Sequence, residues 1–249
     1  MRTKKIDNET LRILSLVTVE DNKVFLTCGQ LERKQYLEVN EILVNIGGTW
    51  NRKAKAHLFN GDPSLLLEGV INTGETTPPK LYGYFPTPKT IAHKLVALAD
   101  LRPNMFVLEP SAGQGAIADC VPDYISLDCI ELLPDNVKIL EGKGYHVQQS
   151  DFLSIEPKAV YHSAIMNPPF SYEGHPQADI DHVEHAIKFL LPGGRVVSIM
   201  SAGVLFRENK KTVAFREMVG LRGTLEPLPE GSFKESGTMV NTCILVLNT

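Results

Sequence analysis

Apolar runs alternate with amphipathic stretches along the later two-thirds of the chain. Short apolar runs bounded by turn residues predict seven strands, at residues 105–108, 124–130, 146–149, 159–166, 195–200, 223–228 and 242–247. Apolar positions spaced three and four apart predict helices at residues 87–99, 115–120, 136–142, 180–191 and 210–219. This alternation predicts an α/β fold with a doubly wound, mostly parallel sheet. The last two strands have no helix between them, which predicts an antiparallel C-terminal edge hairpin.

The first part of the chain has a weaker version of the same pattern. Helices are predicted at residues 32–46 and 65–72, and strands at residues 24–27 and 55–60. Gly47 and Gly48 end the first of these helices, and Asp62 with Pro63 begins the second. Residues 74–80 are rich in turn formers. We therefore predict a small N-terminal α/β domain over residues 1–79 and a larger domain over residues 80–249.

Composition and charge narrow the class of protein. The chain has 249 residues and a net charge of −4, so binding to nucleic acid would require a local basic patch. No apolar run approaches the roughly 18 residues of a membrane helix. The four cysteines have no C-x-x-C spacing, as is typical of reduced thiols. These features predict a soluble cytoplasmic protein without a membrane partner.

The tetrapeptide at residues 167–170 follows the apolar strand at 159–166 directly. Asn167 therefore lies at the carboxyl end of a strand, where open α/β sheets bind ligands. Pro168 and Pro169 restrict the backbone and remove two N–H donors. The Asn167 amide oxygen and the Pro168 carbonyl remain as acceptors, with Phe170 beside them, and this set suits a planar amino group. The alternative is a turn that ends the strand and packs a phenylalanine.

A glycine-rich loop follows the first strand of the larger domain. Gly113, Gly115 and Ala118 satisfy the pattern G-x-G-x-x-A, in which glycine allows a ligand to approach the backbone closely. Glu131 follows roughly 20 residues later, at the end of the next strand, where an acid binds ribose hydroxyls. The loop is compatible with two cofactors, a nicotinamide dinucleotide or S-adenosylmethionine.

Two further acids favour S-adenosylmethionine. Glu109 precedes the glycines, where its carboxylate would repel a pyrophosphate but could bind a methionine ammonium. Asp151 and Phe152 end the third strand, where they could bind an adenine amino group and cover its ring. Each residue alone has an ordinary alternative, such as a plain turn, a charge at a helix start or a helix cap. Their occurrence at three successive strand ends favours a nucleotide site.

Taken in order, these motifs resemble the gamma group of adenine-N6 DNA methyltransferases, especially compact enzymes of phages and mobile elements. The resemblance covers residues 80–249 and implies a Rossmann-like methyltransferase sheet that binds S-adenosylmethionine. It also includes Phe85 and Thr87, in a segment that closes over the methionine end of the cofactor in that group. The implied cofactor-binding residues are Phe85, Thr87, Glu109, Ser111, Ala112, Gly113, Gly115, Glu131, Asp151 and Phe152.

The same resemblance implies methyl transfer to the N6 amino group of adenine in DNA, with base flipping. It assigns catalysis to residues 167–170, namely Asn167, Pro168, Pro169 and Phe170. Phe170 and Phe233 would stack on the target base, although Phe233 could equally be a core aromatic. Other readings remain open: the same chemistry on RNA adenine or on a protein glutamine amide, or a non-catalytic DNA-binding subunit with this fold.

The motifs above do not identify the residues that would recognise a DNA sequence. Many gamma-group enzymes have a large recognition domain after the catalytic domain, so we expect short or relaxed specificity, or help from the N-terminal domain, a homodimer or a partner subunit. Arg52 and Lys53 lie between Trp50 and Phe59 and could contact phosphates, although a solvated basic surface explains them equally well.

Two other groups of residues are expected to have no special chemistry. The group of Arg207, Lys210, Lys211 and Arg216 is predicted to be a solvated helix face. His182 and His185 are one helical turn apart, and we predict that they lie on a solvated helix face and do not bind a metal.

Overall fold

The computed structural model describes residues 5–75, 86–172, 175–238 and 240–249. Its helices are α1 (Asn8–Ser15), α2 (Arg33–Asn45), α3 (Ser64–Thr73), α4 (Lys89–Leu98), α5 (Pro134–Gly142), α6 (Ala178–Ile187) and α7 (Lys210–Arg222). Its strands are β1 (Thr18–Glu20), β2 (Lys23–Phe25), β3 (Thr49–Asn51), β4 (Ala56–Leu58), β5 (Phe106–Pro110), β6 (Ser126–Glu131), β7 (His146–Gln149), β8 (Tyr161–Met166), β9 (Ser171–Tyr172), β10 (His175–Pro176), β11 (Leu190–Ser201), β12 (Gly223–Pro227) and β13 (Thr242–Asn248).

The chain divides into two compact units. The N-terminal unit consists of Met1–Gly83 together with two later segments, Ser171–Pro176 and Ala202–Ala214. The C-terminal unit consists of Tyr84–Phe170, Gln177–Ser201 and Phe215–Thr249. The division predicted at residues 79 and 80 differs from these units mainly in the two later segments. Residues 76–80, in the predicted linker, lie outside the described residues.

The N-terminal unit is built on a four-stranded antiparallel sheet in the order β1-β2-β4-β3. The Asp7 side chain caps α1 by accepting a hydrogen bond from the Thr10 amide at 2.9 Å. Apolar faces of the three helices α1, α2 and α3 pack with the sheet. The buried core consists of Ile13, Leu14, Val24, Val39, Ile42, Leu43, Phe59, Leu67, Val70 and Ile71.

A buried ion pair joins the later segment Ala202–Ala214 to α3 within the N-terminal unit. The Arg207 guanidinium donates to the Glu68 carboxylate, and also to the Asn72 side-chain oxygen at 2.8 Å. The Arg207 side chain is only 3% exposed. The prediction that Arg207 belongs to a solvated helix face is therefore wrong, because Arg207 precedes α7 and points into the unit.

Replacing Arg207 with methionine should destabilise the N-terminal unit strongly. The substitution leaves the buried Glu68 carboxylate without its charged donor, and a broken buried pair costs about 3–5 kcal/mol. Urea unfolding would measure the loss. Arg12→Met is the matched control, because the pair of Arg12 with Glu208 is about half exposed and should contribute less than about 1 kcal/mol. Equal effects of the two substitutions would contradict the structural role of Arg207.

The C-terminal unit contains a seven-stranded sheet in the order β12-β13-β11-β8-β5-β6-β7. The five strands from β11 to β7 are parallel, whereas β13 is antiparallel to both β11 and β12. The fold predicted from the hydrophobic pattern, including the antiparallel edge, is therefore confirmed. A buried cluster that includes Ala92 and Leu95 of α4, Val107 of β5 and Ile165 of β8 fills part of its core.

The order of strands reverses between β5 and β8. From β5 the chain proceeds outward to β6 and β7, and it then crosses to β8 and β11 on the other side. The crevice at the carboxyl ends of the strands at such a reversal is the usual ligand site of doubly wound sheets. The fold therefore predicts a ligand site at the residues that follow β5 and β8.

One predicted helix differs in form from the prediction. Residues 115–120 do not form an α-helix; a short 3₁₀ helix covers Ala118–Cys120 only. The positive φ angles of Gly113 and Gly115, 57° and 85°, keep this part of the chain in turns. Among the helices of the described residues, none is both long enough and apolar enough to cross a membrane.

Candidate functional site

The β5 and β8 strands place Glu109 and Asn167 on neighbouring strand ends. The two strands pair in parallel through Val107 with Ser163 and through Leu108 with Ala164. Glu109 is the fourth residue of β5, and Asn167 follows the last residue of β8. A carboxylate and a carboxamide thus flank the point where the strand order reverses.

The side chain of Asn167 is held by Thr87. The Asn167 Nδ2 donates to the Thr87 Oγ1 at 3.1 Å, and Thr87 is only 7% exposed. With the amide nitrogen bound to Thr87, the Asn167 Oδ1 lies at the other end of the amide as an acceptor. The structure thus brings together Thr87 and Asn167, two predicted site residues that are far apart in sequence. It does so through a contact that sequence patterns did not suggest.

The other three residues of the tetrapeptide differ in their exposure to solvent. Pro168 is buried and Pro169 is exposed. Phe170 is half-buried and packs on the hydrophobic core of the C-terminal unit, and its carbonyl accepts a hydrogen bond from the Ala178 amide at 2.9 Å. Phe170 is therefore partly packed and partly exposed, which is compatible with a stacking role and with a simple anchoring role.

The glycine-rich loop has a tightly folded backbone. Ser111 and the two glycines, Gly113 and Gly115, all have positive φ angles. The Ala112 amide donates to the Ile130 carbonyl at 2.9 Å, which ties the loop to β6. A Cβ atom on Gly115 would lie 2.9 Å from a methyl group of Leu140, so its small size is required as well as its backbone freedom.

Glu131 fixes the loop from the neighbouring strand end. Its carboxylate accepts hydrogen bonds from the Gly113 amide at 2.7 Å and from the Leu133 amide at 2.8 Å. Glu131 is only 6% exposed. Each carboxylate oxygen can accept more than one hydrogen bond, so this geometry leaves capacity for a hydroxyl donor. The predicted contact of Glu131 with a ribose stays a prediction.

Glu109 is a buried carboxyl group whose second oxygen lacks a partner. It is 2% exposed, and its Oε2 has no hydrogen-bond partner among the described residues. Burial, with smaller contributions from the carboxylates of Asp119 and Glu131, raises the pKa of Glu109 well above its usual range. A buried orphan acceptor requires an explanation. A cationic ligand group would supply the missing partner, so the residues fit the ammonium of a methionine moiety.

The sequence prediction missed a group of side chains that braces the glycine-rich loop. Lys143 Nζ donates to the Gln114 carbonyl at 2.8 Å and to the Asp119 carboxylate at 2.6 Å. The Tyr145 hydroxyl donates to the other Asp119 oxygen at 2.8 Å. Each of these contacts joins residues that are 24 or more positions apart along the chain, so no local motif could have revealed them.

Asp151 and Phe152 follow the end of β7, and their side chains have structural partners. The Asp151 carboxylate caps a 3₁₀ helix by accepting a hydrogen bond from the Leu153 amide at 3.0 Å. The Phe152 ring is 3% exposed and packs against the rings of His182, His185 and Phe189. Their roles towards an adenine ring stay predictions.

The same contacts correct the interpretation of the histidine pair. His182 is 4% exposed, and its Nδ1 is 2.8 Å from the Ala178 carbonyl. His185 Nε2 is 3.0 Å from the Ile155 carbonyl. The prediction of a solvated helix face is wrong, because this face of α6 packs on Phe152. No group of three or more potential metal-binding side chains occurs within the described residues.

Phe233 is buried in the core of the C-terminal unit. It is 2% exposed and belongs to the same cluster as Leu95 and Ile165. In this arrangement its ring has no exposed face for a base, so its burial favours the core alternative over stacking. Phe85, another aromatic residue of the predicted site, lies outside the described residues.

Arg52 and Lys53 lie at the turn between β3 and β4, and both are exposed. Lys55 is exposed at the same turn, and Trp50 on β3 is 39% exposed. His57 is fully buried and does not contribute to this surface. Within the part of the chain that the structure describes, no ion pair involves the three exposed cations of this turn.

Comparison with known proteins finds a matching family model and solved structures with a similar fold. A family model described as N-6 DNA Methylase matches residues 158–249, which include the tetrapeptide. The C-terminal unit has the methyltransferase fold. No curated protein sequence matches the chain.

Solved structures with similar folds are distant in sequence. The EcoKI M protein of a type I restriction enzyme has a TM-score of 0.58 at 16% identity, over 96% of this chain and 56% of that chain. The type I restriction-modification methyltransferase subunit of Streptococcus thermophilus has a TM-score of 0.57 at 20% identity, over 73% and 47%. A putative class I S-adenosylmethionine-dependent methyltransferase of Listeria monocytogenes has a TM-score of 0.54 at 16% identity, over 66% and 60%. This chain therefore spans about half of the length of these proteins.

Proposed function

We propose that this protein transfers a methyl group from S-adenosylmethionine to the N6 amino group of adenine in DNA. The observation that carries the proposal is the pairing of two acceptors at the strand reversal. The orphan carboxylate of Glu109 suits a cationic cofactor group, and the Asn167 amide oxygen suits an amino group. The match of residues 158–249 to N-6 DNA methylases supports adenine as the target.

The tetrapeptide would bind the amino group that is to be methylated. The lone pair of an adenine N6 nitrogen is delocalised into the ring, which makes this nitrogen a poor nucleophile. The Asn167 Oδ1 and the Pro168 carbonyl would accept both amino hydrogens and so favour a pyramidal nitrogen with an available lone pair. Phe170 would stack on the base through its accessible side and fix the orientation of the ring.

The glycine-rich loop and its neighbouring acids would hold the cofactor. Glu109 would bind the methionine ammonium, and Glu131 would accept hydrogen bonds from the ribose hydroxyls. When bound, the cofactor supplies an activated methyl group, so the protein mainly contributes alignment and electrostatics. Lys143 would keep the loop in shape, because its Nζ donates to the Gln114 carbonyl and is itself held by the Asp119 carboxylate.

The turn between β3 and β4 would bind the phosphate backbone. The exposed Arg52, Lys53 and Lys55 form a local positive surface on a chain with a net charge of −4. The exposed Trp50 offers a ring for stacking on an unpaired base. Because a base inside a duplex cannot reach a pocket at the strand ends, the proposal includes base flipping.

Neutralising the basic turn should weaken DNA binding in a salt-dependent manner. Each phosphate contact that is lost should reduce the slope of log K against log salt by about 0.9. Fluorescence anisotropy of the Arg52→Gln and Lys53→Gln variants on duplex DNA, over a salt series, would measure the slope. Lys34→Gln is the control, since it removes an exposed positive charge of the same unit at a different place. An unchanged slope in both turn variants would rule out this surface.

The proposed function is tested by offering the purified protein several acceptors. Duplex DNA, RNA and cell-extract protein would each be incubated with methyl-labelled S-adenosylmethionine. The proposal expects label in DNA, within adenine. Label confined to RNA or protein would overturn the choice of acceptor. Binding of DNA without transfer to any acceptor would indicate a non-catalytic subunit.

A further inference from the structure

We propose that Thr87 is a positioning residue for Asn167 and does not act mainly as a cofactor ligand. The inference rests on the proposed function, because it assigns Thr87 a role in presenting the Asn167 oxygen to the target amino group. The inference is carried by the hydrogen bond from Asn167 Nδ2 to Thr87 Oγ1, which is 3.1 Å long and joins the buried Thr87 to the half-buried Asn167.

The chemistry of the carboxamide explains why such an anchor is needed. An asparagine side chain has a donor end and an acceptor end, and it can rotate about its terminal bond. An amino group on the target presents only hydrogens to the pocket. When the Nδ2 end of Asn167 is bound by the Thr87 hydroxyl, the Oδ1 end is left to accept from the amino group. The reversed amide would place donors against donors.

The backbone around Thr87 is well suited to a fixed anchor. Thr87 lies between Pro86 and Pro88, and a residue that precedes proline is restricted to extended conformations. The Ser236 hydroxyl donates to the Pro86 carbonyl at 2.6 Å, which ties this segment to the loop before β13. Directly after Pro88, α4 begins and packs Ala92 and Leu95 into the core. Thr87 is thus held from both sides.

The two roles of Thr87 make different kinetic predictions. A positioning role acts on the transition state, so loss of the hydroxyl should lower kcat and leave the KM for S-adenosylmethionine nearly unchanged. A cofactor-binding role should instead raise that KM and the cofactor Kd. The isosteric Thr87→Val removes the hydroxyl, and Thr87→Ser retains it in a smaller side chain.

The test combines kinetics with a spectroscopic readout that needs no activity. We expect Thr87→Val to lower kcat roughly tenfold, the value of about one neutral hydrogen bond, and Thr87→Ser to restore most of it. In protein labelled with ¹⁵N-asparagine, the Asn167 side-chain amide signals should shift in Thr87→Val and remain in place in Thr87→Ser. Asn167→Ala would assign those signals. If Thr87→Val does not fold, Ser236→Ala provides the alternative, with a smaller fall in kcat.

Several outcomes would overturn the inference. These are unmoved Asn167 amide signals in Thr87→Val, a raised cofactor Kd at unchanged kcat, or an equal loss of kcat in Thr87→Ser. The amide signals report on the hydrogen bond even if the wild-type protein methylates no DNA. That result would refute the proposed function separately from the contact between Thr87 and Asn167.

Discussion

Replacing Asn167 with alanine is expected to abolish methyl transfer while cofactor binding remains largely intact. The substitution removes the Oδ1 acceptor that would draw the target nitrogen out of conjugation, and loss of one such polar group in a preorganised site costs about 10²–10³ in kcat. Single-turnover assays with labelled S-adenosylmethionine would measure the rate. Calorimetry would measure cofactor affinity, for which we expect little change, because the proposed cofactor ligands are Glu109, Glu131 and the glycine-rich loop.

Two controls make this expectation specific. Thermal unfolding should show that Asn167→Ala remains folded, since the only described side-chain partner of Asn167 is the Thr87 hydroxyl. A variant of the basic turn of the N-terminal unit, Lys53→Gln, should retain the rate of transfer at saturating DNA. Full activity of Asn167→Ala would refute the amino-clamp mechanism.

Replacing Glu109 with glutamine should have two effects of opposite sign. Cofactor affinity should fall strongly, because the glutamine cannot neutralise an ammonium and the partner charge would stay buried and unpaired. The cofactor-free protein should become more stable at neutral pH, because the buried carboxylate is removed. Calorimetric titration and thermal unfolding of the same samples would measure both. Lower stability together with normal affinity would contradict the assignment of Glu109.

The pH dependence follows from the direction of the pKa shift. The folded-state pKa of Glu109 lies well above its usual value of 4.5, mainly because of burial. Its contribution to stability is therefore fully present below about pH 4.5 and is lost as the pH rises through the folded-state pKa. Cofactor affinity should change in the opposite direction and increase as the carboxyl group ionises. In Glu109→Gln, both the pH-dependent change in stability and the pH-dependent change in cofactor affinity should be absent.

The hydrophobic pattern predicted the large sheet well because most residues of its central strands are buried and apolar. Strand β13, for example, is a nearly continuous apolar run, and the β7 strand was predicted with the bounds observed. The three-residue strands β1 and β3 were not predicted, because so few residues do not establish a period. The segment Ala202–Ala214 was assigned by its position along the chain, whereas its contacts lie in the N-terminal unit.

The candidate site was predictable only where it depends on strand ends. Glu109, Glu131 and Asn167 were identified because each follows or ends a recognisable apolar run, and parallel strands bring such ends to one edge. Contacts made across the fold were not visible in the sequence. Arg207 illustrates this. A charged residue near other cations in the sequence is predicted to lie on the surface, and the buried partner, Glu68, is visible only in the structure.

The burial of Phe233 shows the limit of a short motif. A phenylalanine in a polar loop is compatible with stacking on a base and with anchoring that loop to the core. The observed exposure of 2% favours anchoring in this arrangement, together with the hydrogen bond from Ser236 to Pro86 in the following turn. Burial of this kind depends on the whole fold, so the short motif Gly231-Ser232-Phe233-Lys234 could not have predicted it.

The most direct test of the central claim is a mass measurement on DNA. Unmethylated duplex DNA would be incubated with the protein and S-adenosylmethionine bearing a deuterated methyl group, digested to nucleosides, and analysed by mass spectrometry. The proposed function predicts deuterated N6-methyldeoxyadenosine with the wild-type protein and at most about one per cent of that amount with Asn167→Ala in the same time. Absence of this nucleoside with folded wild-type protein that binds the cofactor, or equal amounts with both proteins, would contradict it.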